Sequence, residues 1–151
     1  MDHLNEIENL KVRIKELELE IKKMSVPIIS SIVDDTILVP IVGYTGSERF
    51  EMIRSQVLEY IGSHSNVSSV IFDFTGSDLN GNNAHNFDTI AFELKVMNET
   101  LKLMDVRPIS VGFHPMIVRE IVAAGVEVEL ESYINFRMAL KVLLKENVGI
   151  S

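Results

Sequence analysis

The sequence contains no cysteine, few basic residues and no long apolar run. Without cysteine, disulfides and thiolate metal sites are excluded, which is compatible with a reducing compartment. Lysine and arginine number 14 against 22 acidic residues, so the net charge is -8. This charge disfavours binding to nucleic acid or to an anionic membrane. No apolar segment approaches the about 20 residues of a membrane helix, and the acidic N-terminus lacks the order of a signal peptide. We therefore predict about one cytoplasmic domain with protein partners.

Catalytic and ligand-binding motifs are also lacking. The four histidines are scattered without ligand spacing or a paired carboxylate, and neither a nucleophile elbow nor a phosphate-binding Walker loop is present. Asp78–Asn82 is similar to the opening of a calcium loop, but Asn83 replaces the expected glycine and Thr89 replaces the expected glutamate. The sequence therefore predicts a protein that is not an enzyme and has no cofactor and no metal.

The first 25 residues form a separate unit with a seven-residue repeat. Isoleucine recurs every seven positions and an apolar residue follows each isoleucine three positions later, which gives the set Ile7, Leu10, Ile14, Leu17, Ile21 and Met24. Isoleucine at a and leucine at d favour a parallel two-stranded coiled coil. The alternative is an amphipathic helix that packs on its own domain, because a short isolated helix is marginal in water.

From Val26 onward strand and helix patterns alternate, which predicts an α/β domain over residues 26–148. The expected strands are 27–32 and 36–42, around a turn at Asp34–Asp35, followed by 67–76, 109–113 and an edge strand at 126–130. The third expected strand is almost continuously apolar, which is typical of a central strand covered on both faces. The pattern predicts a small mixed sheet flanked by helices.

Helix signals lie between these strands. Thr45 and Glu48 have the spacing of a capping box, and Pro115 and Gly125 suit the first residue and the end of a short helix. Apolar residues then recur at helical spacing in three predicted helices: Phe50, Ile53, Val57 and Ile61; Phe87, Ile90, Ala91, Leu94, Met97, Leu101 and Met104; and Phe136, Ala139, Leu140 and Leu143.

Four segments in this order are similar to those of STAS domains, the family of anti-sigma-factor antagonists. They are Leu38–Gly43, Ser47–Arg49, Val67–Gly76 with its ending Asp-x-Thr-Gly, and Arg107–Pro115. The resemblance extends from about Val26 to Glu146, and it is strongest to the stressosome scaffold proteins. It implies the STAS fold and control by serine or threonine phosphorylation. In that subgroup a comparable helix joins a sensor domain to the STAS domain, so we expect either a fragment or a helix that itself acts as the input or dimerising element.

The resemblance also implies a switch site in two loops. The acceptor position after Asp73 is Asn82, which cannot be phosphorylated but can still cap a helix. The second acceptor position is Ser47, which keeps its hydroxyl and is equally compatible with a plain helix-start residue. Thr75 and Ser77 are further hydroxyls of the same region. The predicted partner- or ligand-binding set is Thr45, Glu48, Arg49, Asp73, Thr75, Gly76, Ser77, Asp78, Asn80 and Asn83.

Two functions fit these residues. The first is a noncatalytic scaffold or antagonist in a bacterial stress-response system, which would bind a serine/threonine switch kinase and other STAS proteins as a homodimer or larger assembly. The second is a module that binds a nucleotide or another small anion at the same loops, where strand ends lead into helix N-termini.

Overall fold

The computed structural model describes residues 2–24, 26–43, 45–80 and 87–149; the side chains of residues 19–24, 80 and 147–149 lie outside the described set. The elements in chain order are α1 (Asp2–Met24), β1 (Ile29–Ser30), β2 (Thr36–Pro40), α2 (Ser47–Ser63), β3 (Ser69–Asp73), a 3-10 turn (Asp78–Asn80), α3 (Phe87–Leu103), β4 (Arg107–Val111), α4 (Pro115–Ala123), β5 (Ser132–Tyr133) and α5 (Phe136–Gly149).

The five strands form one mixed sheet in the order β1-β2-β3-β4-β5. β1 runs antiparallel to β2, and all the other neighbours are parallel. The turn between β1 and β2 contains Asp35 with a φ of 62°, a left-handed conformation that aspartate tolerates better than most residues. Leu38, Ile71 and Ile109 align across the three central strands. The predicted mixed sheet flanked by helices is therefore confirmed.

The strand β3 separates two apolar clusters. Val70 and Phe72 belong to the larger cluster with residues of α2, α3 and α4, whereas Ile71 belongs to the smaller cluster with Ala139 and Leu143 of α5. This division follows from the alternation of side chains along a strand. All three β3 residues are at most 1% exposed, as expected for a central strand covered on both faces. The apolar faces predicted for α2, α3 and α5 all contribute to these clusters.

Several predicted boundaries were wrong. The strand predicted at 27–32 is limited to Ile29–Ser30, the next ends at Pro40, and Met104 follows the end of α3. The edge strand predicted at 126–130 is absent, and the strand next to β4 is Ser132–Tyr133. Val126, Val128 and Leu130 alternate because they pack half-buried on the larger cluster, not because they join a strand ladder. The carbonyl of Glu129 instead accepts a hydrogen bond from the Asn98 side chain at 3.0 Å.

Candidate functional site

The loops that follow β2 and β3 lie together at the carboxyl end of the sheet, because the two strands are parallel neighbours. The N–H of Gly43 donates to the carbonyl of Gly76 at 3.0 Å, and the N–H of Asp78 donates to the carbonyl of Gly43 at 2.8 Å. Gly43 has a φ of +80°, a conformation that favours glycine. The two loops therefore form one hydrogen-bonded surface instead of two independent segments.

A side-chain contact also joins the loops and corrects the predicted capping box. The buried Thr45 hydroxyl donates to the carboxylate of Asp78, 33 positions later. The residue that caps α2 is Gly46, which makes no side-chain capping bond. The hydroxyl of Thr45 therefore does not cap α2, because it is engaged by the neighbouring loop.

The turn after β3 is shaped by its own aspartate. Oδ1 of Asp73 accepts hydrogen bonds from the Thr75 N–H at 3.0 Å and from the Thr75 hydroxyl at 2.6 Å. This is an Asx-turn, in which a carboxylate replaces a backbone acceptor. The Ser77 hydroxyl donates to the Phe74 carbonyl at 2.8 Å and is buried. Thr75 and Gly76 are exposed, so the turn presents them to solvent while Ser77 faces inward.

Gly112 allows the end of β4 to approach this turn. Its φ is +83°, and a Cβ at this position would lie 2.6 Å from the Thr75 backbone nitrogen and 2.9 Å from Asp73 Oδ1, with the Thr75 hydroxyl closer still. No side chain larger than hydrogen fits this space without displacing the turn. Gly112 lies in one of the segments that are similar to STAS domains, but no role could be predicted for it, since the contact depends on residues more than 30 positions away.

Apolar anchors hold the loops on the core. Phe74 is fully buried and stacks on Phe113 with ring centroids 4.3 Å apart. Leu79, in the 3-10 turn, is also fully buried. The sequence pattern did not predict the anchoring role of these residues. The signal that could have found Leu79 is a lone apolar residue in a polar loop.

Ser47 lies at the edge of this surface as the first residue of α2. Ser47 and Glu48 are exposed, and Arg49 is partly buried. Ser47 follows Thr45, whose hydroxyl is bonded to Asp78, by two positions in the chain. Asn80 ends the 3-10 turn, while Asn82 and Asn83 lie outside the described residues.

Across the part of the chain that is described, no group of three or more histidine, aspartate or glutamate side chains is arranged for a metal ion. Within the same residues, none of the helices is long and apolar enough to span a membrane.

The opposite, amino end of the sheet carries an ion-pair network. The Arg107 guanidinium binds Glu131 through two hydrogen bonds of 2.6 and 2.7 Å, and it binds Glu146 of α5 at 2.7 and 3.2 Å. The Tyr133 hydroxyl also donates to Glu131 at 2.7 Å. An open groove of about 800 Å³ lies here, lined in part by Lys102 and Arg107. Both cations already pair with glutamates, which reduces the positive charge that this groove offers to an anion.

These pairings shift several pKa values. The hydrogen bonds that Arg107 donates to Glu131 and Glu146 raise the pKa of Arg107 further above its ordinary value. Burial by itself would raise the pKa of Glu131, but hydrogen bonds from Arg107 and Tyr133 together lower it. The hydrogen bond from Arg107 lowers the pKa of Glu146, and the hydrogen bond to Glu131 raises the pKa of Tyr133.

Solved structures share this architecture. A glutamate-for-serine variant of RsbS from Moorella thermoacetica superimposes with a TM-score of 0.63 at 15% identity, over 83% of this chain and 98% of that one. A chain of the stressosome gives a TM-score of 0.60 at 13% identity, over 80% and 98% of the two chains.

The anti-sigma factor antagonist SpoIIAA, in its unphosphorylated form, gives a TM-score of 0.54 at 10% identity, over 80% of this chain and 97% of that one. The chain has the fold of a STAS domain. No family model matches the sequence, and no curated protein matches it. The likeness of fold agrees with the resemblance seen in the sequence, and at these identities it concerns the fold alone.

Proposed function

We propose that this protein is a noncatalytic, cytoplasmic regulator of a bacterial stress-response system, a scaffold or antagonist that binds a serine/threonine switch kinase. The proposed binding face consists of the loop that leads to Ser47 and the loop after Asp73. The proposed STAS domain comprises residues 26–148. The observation that carries this proposal is an exposed Ser47 hydroxyl at the start of α2, beside loops that are hydrogen-bonded to one another.

The hydrogen bonds between the loops support a preformed binding surface. A partner that binds loops already fixed in one conformation does not have to order them on binding, which would otherwise reduce affinity. The exposed Glu48 and Thr75 offer polar contacts on this surface. A kinase would therefore meet a surface whose shape is set by Gly43, Gly76 and Asp78 before it binds.

Phosphorylation of Ser47 would change the charge of this surface strongly. A phosphate adds about −1.5 to −2 charges. At the first residue of α2 it would be favoured by the helix dipole, but opposed by the adjacent Glu48. Ser77 is a poorer acceptor, because its hydroxyl is buried and bound to Phe74. We infer that Ser47 is the phosphorylation site that controls this surface. The second acceptor position, Asn82, has no hydroxyl and cannot be phosphorylated.

Phosphosite mapping tests this proposal. The wild type, Ser47→Ala and Asn82→Ser proteins are incubated with a stressosome-type kinase and ATP. We expect label on Ser47 in the wild type, no label in Ser47→Ala, and a second labelled site in Asn82→Ser. Ser63→Ala is the matched control, because Ser63 is exposed at the other end of the same helix. It should be labelled like the wild type.

Two outcomes would contradict the proposal. Phosphate on Thr75 or Ser77 of the wild type would mean that the loop after Asp73 keeps its own acceptor. A protein that captures no kinase, but whose thermal midpoint rises with a nucleotide or with inorganic phosphate, would instead favour the anion-binding module.

A further inference from the structure

The helix α1 presents an apolar stripe that its own domain leaves uncovered. The four described members of the seven-residue repeat are between 40% and 62% exposed: Ile7, Leu10, Ile14 and Leu17. Every described side chain from Asp2 to Glu18 is exposed. Packing of this stretch on its own domain, the alternative considered from the sequence, is therefore wrong for these residues. A helix with an uncovered stripe of this kind needs another partner to be stable.

The spacing of the stripe fits a second helix. Apolar residues three and four positions apart form the a/d seam that inserts between the side chains of a facing helix. The charges beside the seam indicate which helix. In this register Glu6 and Arg13 occupy g positions, and Lys11 and Glu18 occupy e positions.

A parallel dimer would pair each g residue with the next e residue of the other chain. Glu6 would face the partner's Lys11, and Arg13 would face the partner's Glu18, so all four interhelical pairs are of opposite charge. The contact of Arg13 with Glu16 within one chain, at 3.3 Å between side chains that are 61% and 57% exposed, is too weakly held to prevent this.

We propose that α1 is a parallel, in-register coiled-coil interface with a second copy of this chain. This interface does not depend on kinase binding, so the proposal would remain valid even if the proposed regulatory function were wrong. An antiparallel arrangement with Ile14 opposite the partner's Leu17 would also join opposite charges, since Lys11 would then approach the partner's Glu18. Isoleucine at a with leucine at d favours the parallel form, and two experiments distinguish the arrangements.

The first experiment exchanges charges at the e and g positions of the full chain. The e-swap variant is Lys11→Glu with Glu18→Lys, and the g-swap variant is Glu6→Lys with Arg13→Glu. In a parallel dimer each variant alone carries like charges in all four pairs, whereas an equimolar mixture restores opposite charges. We expect self-association, measured by sedimentation equilibrium, to weaken by about 10- to 100-fold for each variant and to recover in the mixture.

The e-swap variant is decisive for orientation. In the antiparallel arrangement its two changed residues face each other, so their charges remain opposite and the dimer would be unaffected. A self-association constant equal to that of the wild type would therefore overturn the parallel dimer. A wild-type protein that is monomeric at about 100 μM would overturn the interface itself.

The second experiment uses the absence of cysteine. Leu10→Cys introduces a single thiol per chain at a d position, where the two chains of a parallel dimer approach closely enough for a disulfide. An added oxidant that accepts two electrons and two protons from the two thiols should then give a covalent dimer. Val12→Cys is the control, because Val12 is as exposed in one chain but lies outside the seam. Equal crosslinking of the two variants, or none at Leu10→Cys, would contradict the proposal.

Discussion

The two ends of the sheet are held by different interactions. At the carboxyl end, backbone hydrogen bonds between Gly43 and Gly76 and a close approach of Gly112 to Thr75 fix the loops. At the amino end, Arg107 joins β4 to α5 through exposed or half-buried carboxylates. Short-range packing depends little on salt, whereas ion pairs near the surface are screened by it. The candidate binding surface therefore occupies the end whose shape is set by backbone geometry.

The largest predicted effect comes from adding one methyl group at the carboxyl end. Gly112→Ala would combine a left-handed backbone, which costs about 1–2 kcal/mol, with a clash against the Thr75 turn, which costs about 1–3 kcal/mol more. We expect the free energy of unfolding, measured by urea denaturation, to fall by about 2–5 kcal/mol.

Gly125→Ala is the matched control. Its φ of +79° is nearly the same, but no atom lies within 4 Å of the position that a Cβ would take. It should therefore cost only the backbone contribution of about 1–2 kcal/mol. Equal losses in the two variants would show that the approach of β4 to the turn does not stabilise the carboxyl end.

The parts of the fold that could be predicted from the sequence are those that depend on local patterns of burial. The face of α2 formed by Phe50, Ile53, Val57 and Ile61 repeats at helical spacing, and all four side chains are buried. Strand β3 was equally evident from its continuous apolar run. In both cases the burial pattern is local, so the period of the sequence reports it directly.

Predictions were wrong where a residue distant in the sequence forms a hydrogen bond with the hydroxyl or carbonyl that the local pattern assigned to a cap or a strand. Thr45 has the local spacing of a helix cap, but Asp78 takes its hydroxyl. Glu129 lies in an alternating segment, but the Asn98 side chain takes its carbonyl. The adjacency of the two loops could be predicted, because the ends of neighbouring parallel strands meet at one edge of the sheet. Their role as a binding site stays a prediction. The hydrogen bonds between the loops and the close approach of Gly112 depend on tertiary contacts that the sequence pattern does not carry.

A smaller effect is expected from removing the cation at the amino end. Arg107→Met would leave Glu131 and Glu146 near each other without their shared partner. Their side chains are 28% and 47% exposed, so solvent screens part of the repulsion. We expect a loss of about 1–2 kcal/mol in urea denaturation at low salt, and a smaller loss in 1 M sodium chloride.

Lys102→Met serves as the control for this ion pair. Lys102 binds Glu129, whose side chain is 89% exposed, so the pair should contribute little. A loss for Arg107→Met that does not change with salt would indicate that the aliphatic part of the arginine, and not its charge, stabilises this end.

The smallest predicted effect is a dependence of stability on pH at the amino end. The pKa values of Glu131 and Glu146 are lowered in the folded protein by the hydrogen bonds that they accept. An unfolded glutamate has a pKa of about 4.3, and above this pH the two carboxylates contribute their full stabilisation to the fold. The contribution is lost as the pH falls through the lower pKa values that the two glutamates have in the folded protein. The thermal midpoint of the double variant Glu131→Gln, Glu146→Gln should lie about 2–4 °C below that of the wild type at pH 7.

Below about pH 4.3 the two midpoints should converge, because the wild-type carboxylates then become protonated and resemble the amides. Glu127→Gln is the control, since Glu127 is exposed in the same segment, and its midpoint should follow that of the wild type throughout. If the difference in thermal midpoint between the wild type and the double variant stays constant from pH 7 to pH 3, the loss of charge is not its cause. The amides would then lower the midpoint by disturbing the packing of α5. Convergence of the curves would instead assign the pH-dependent part of the stability to the amino end, where charged side chains join α5 to β4.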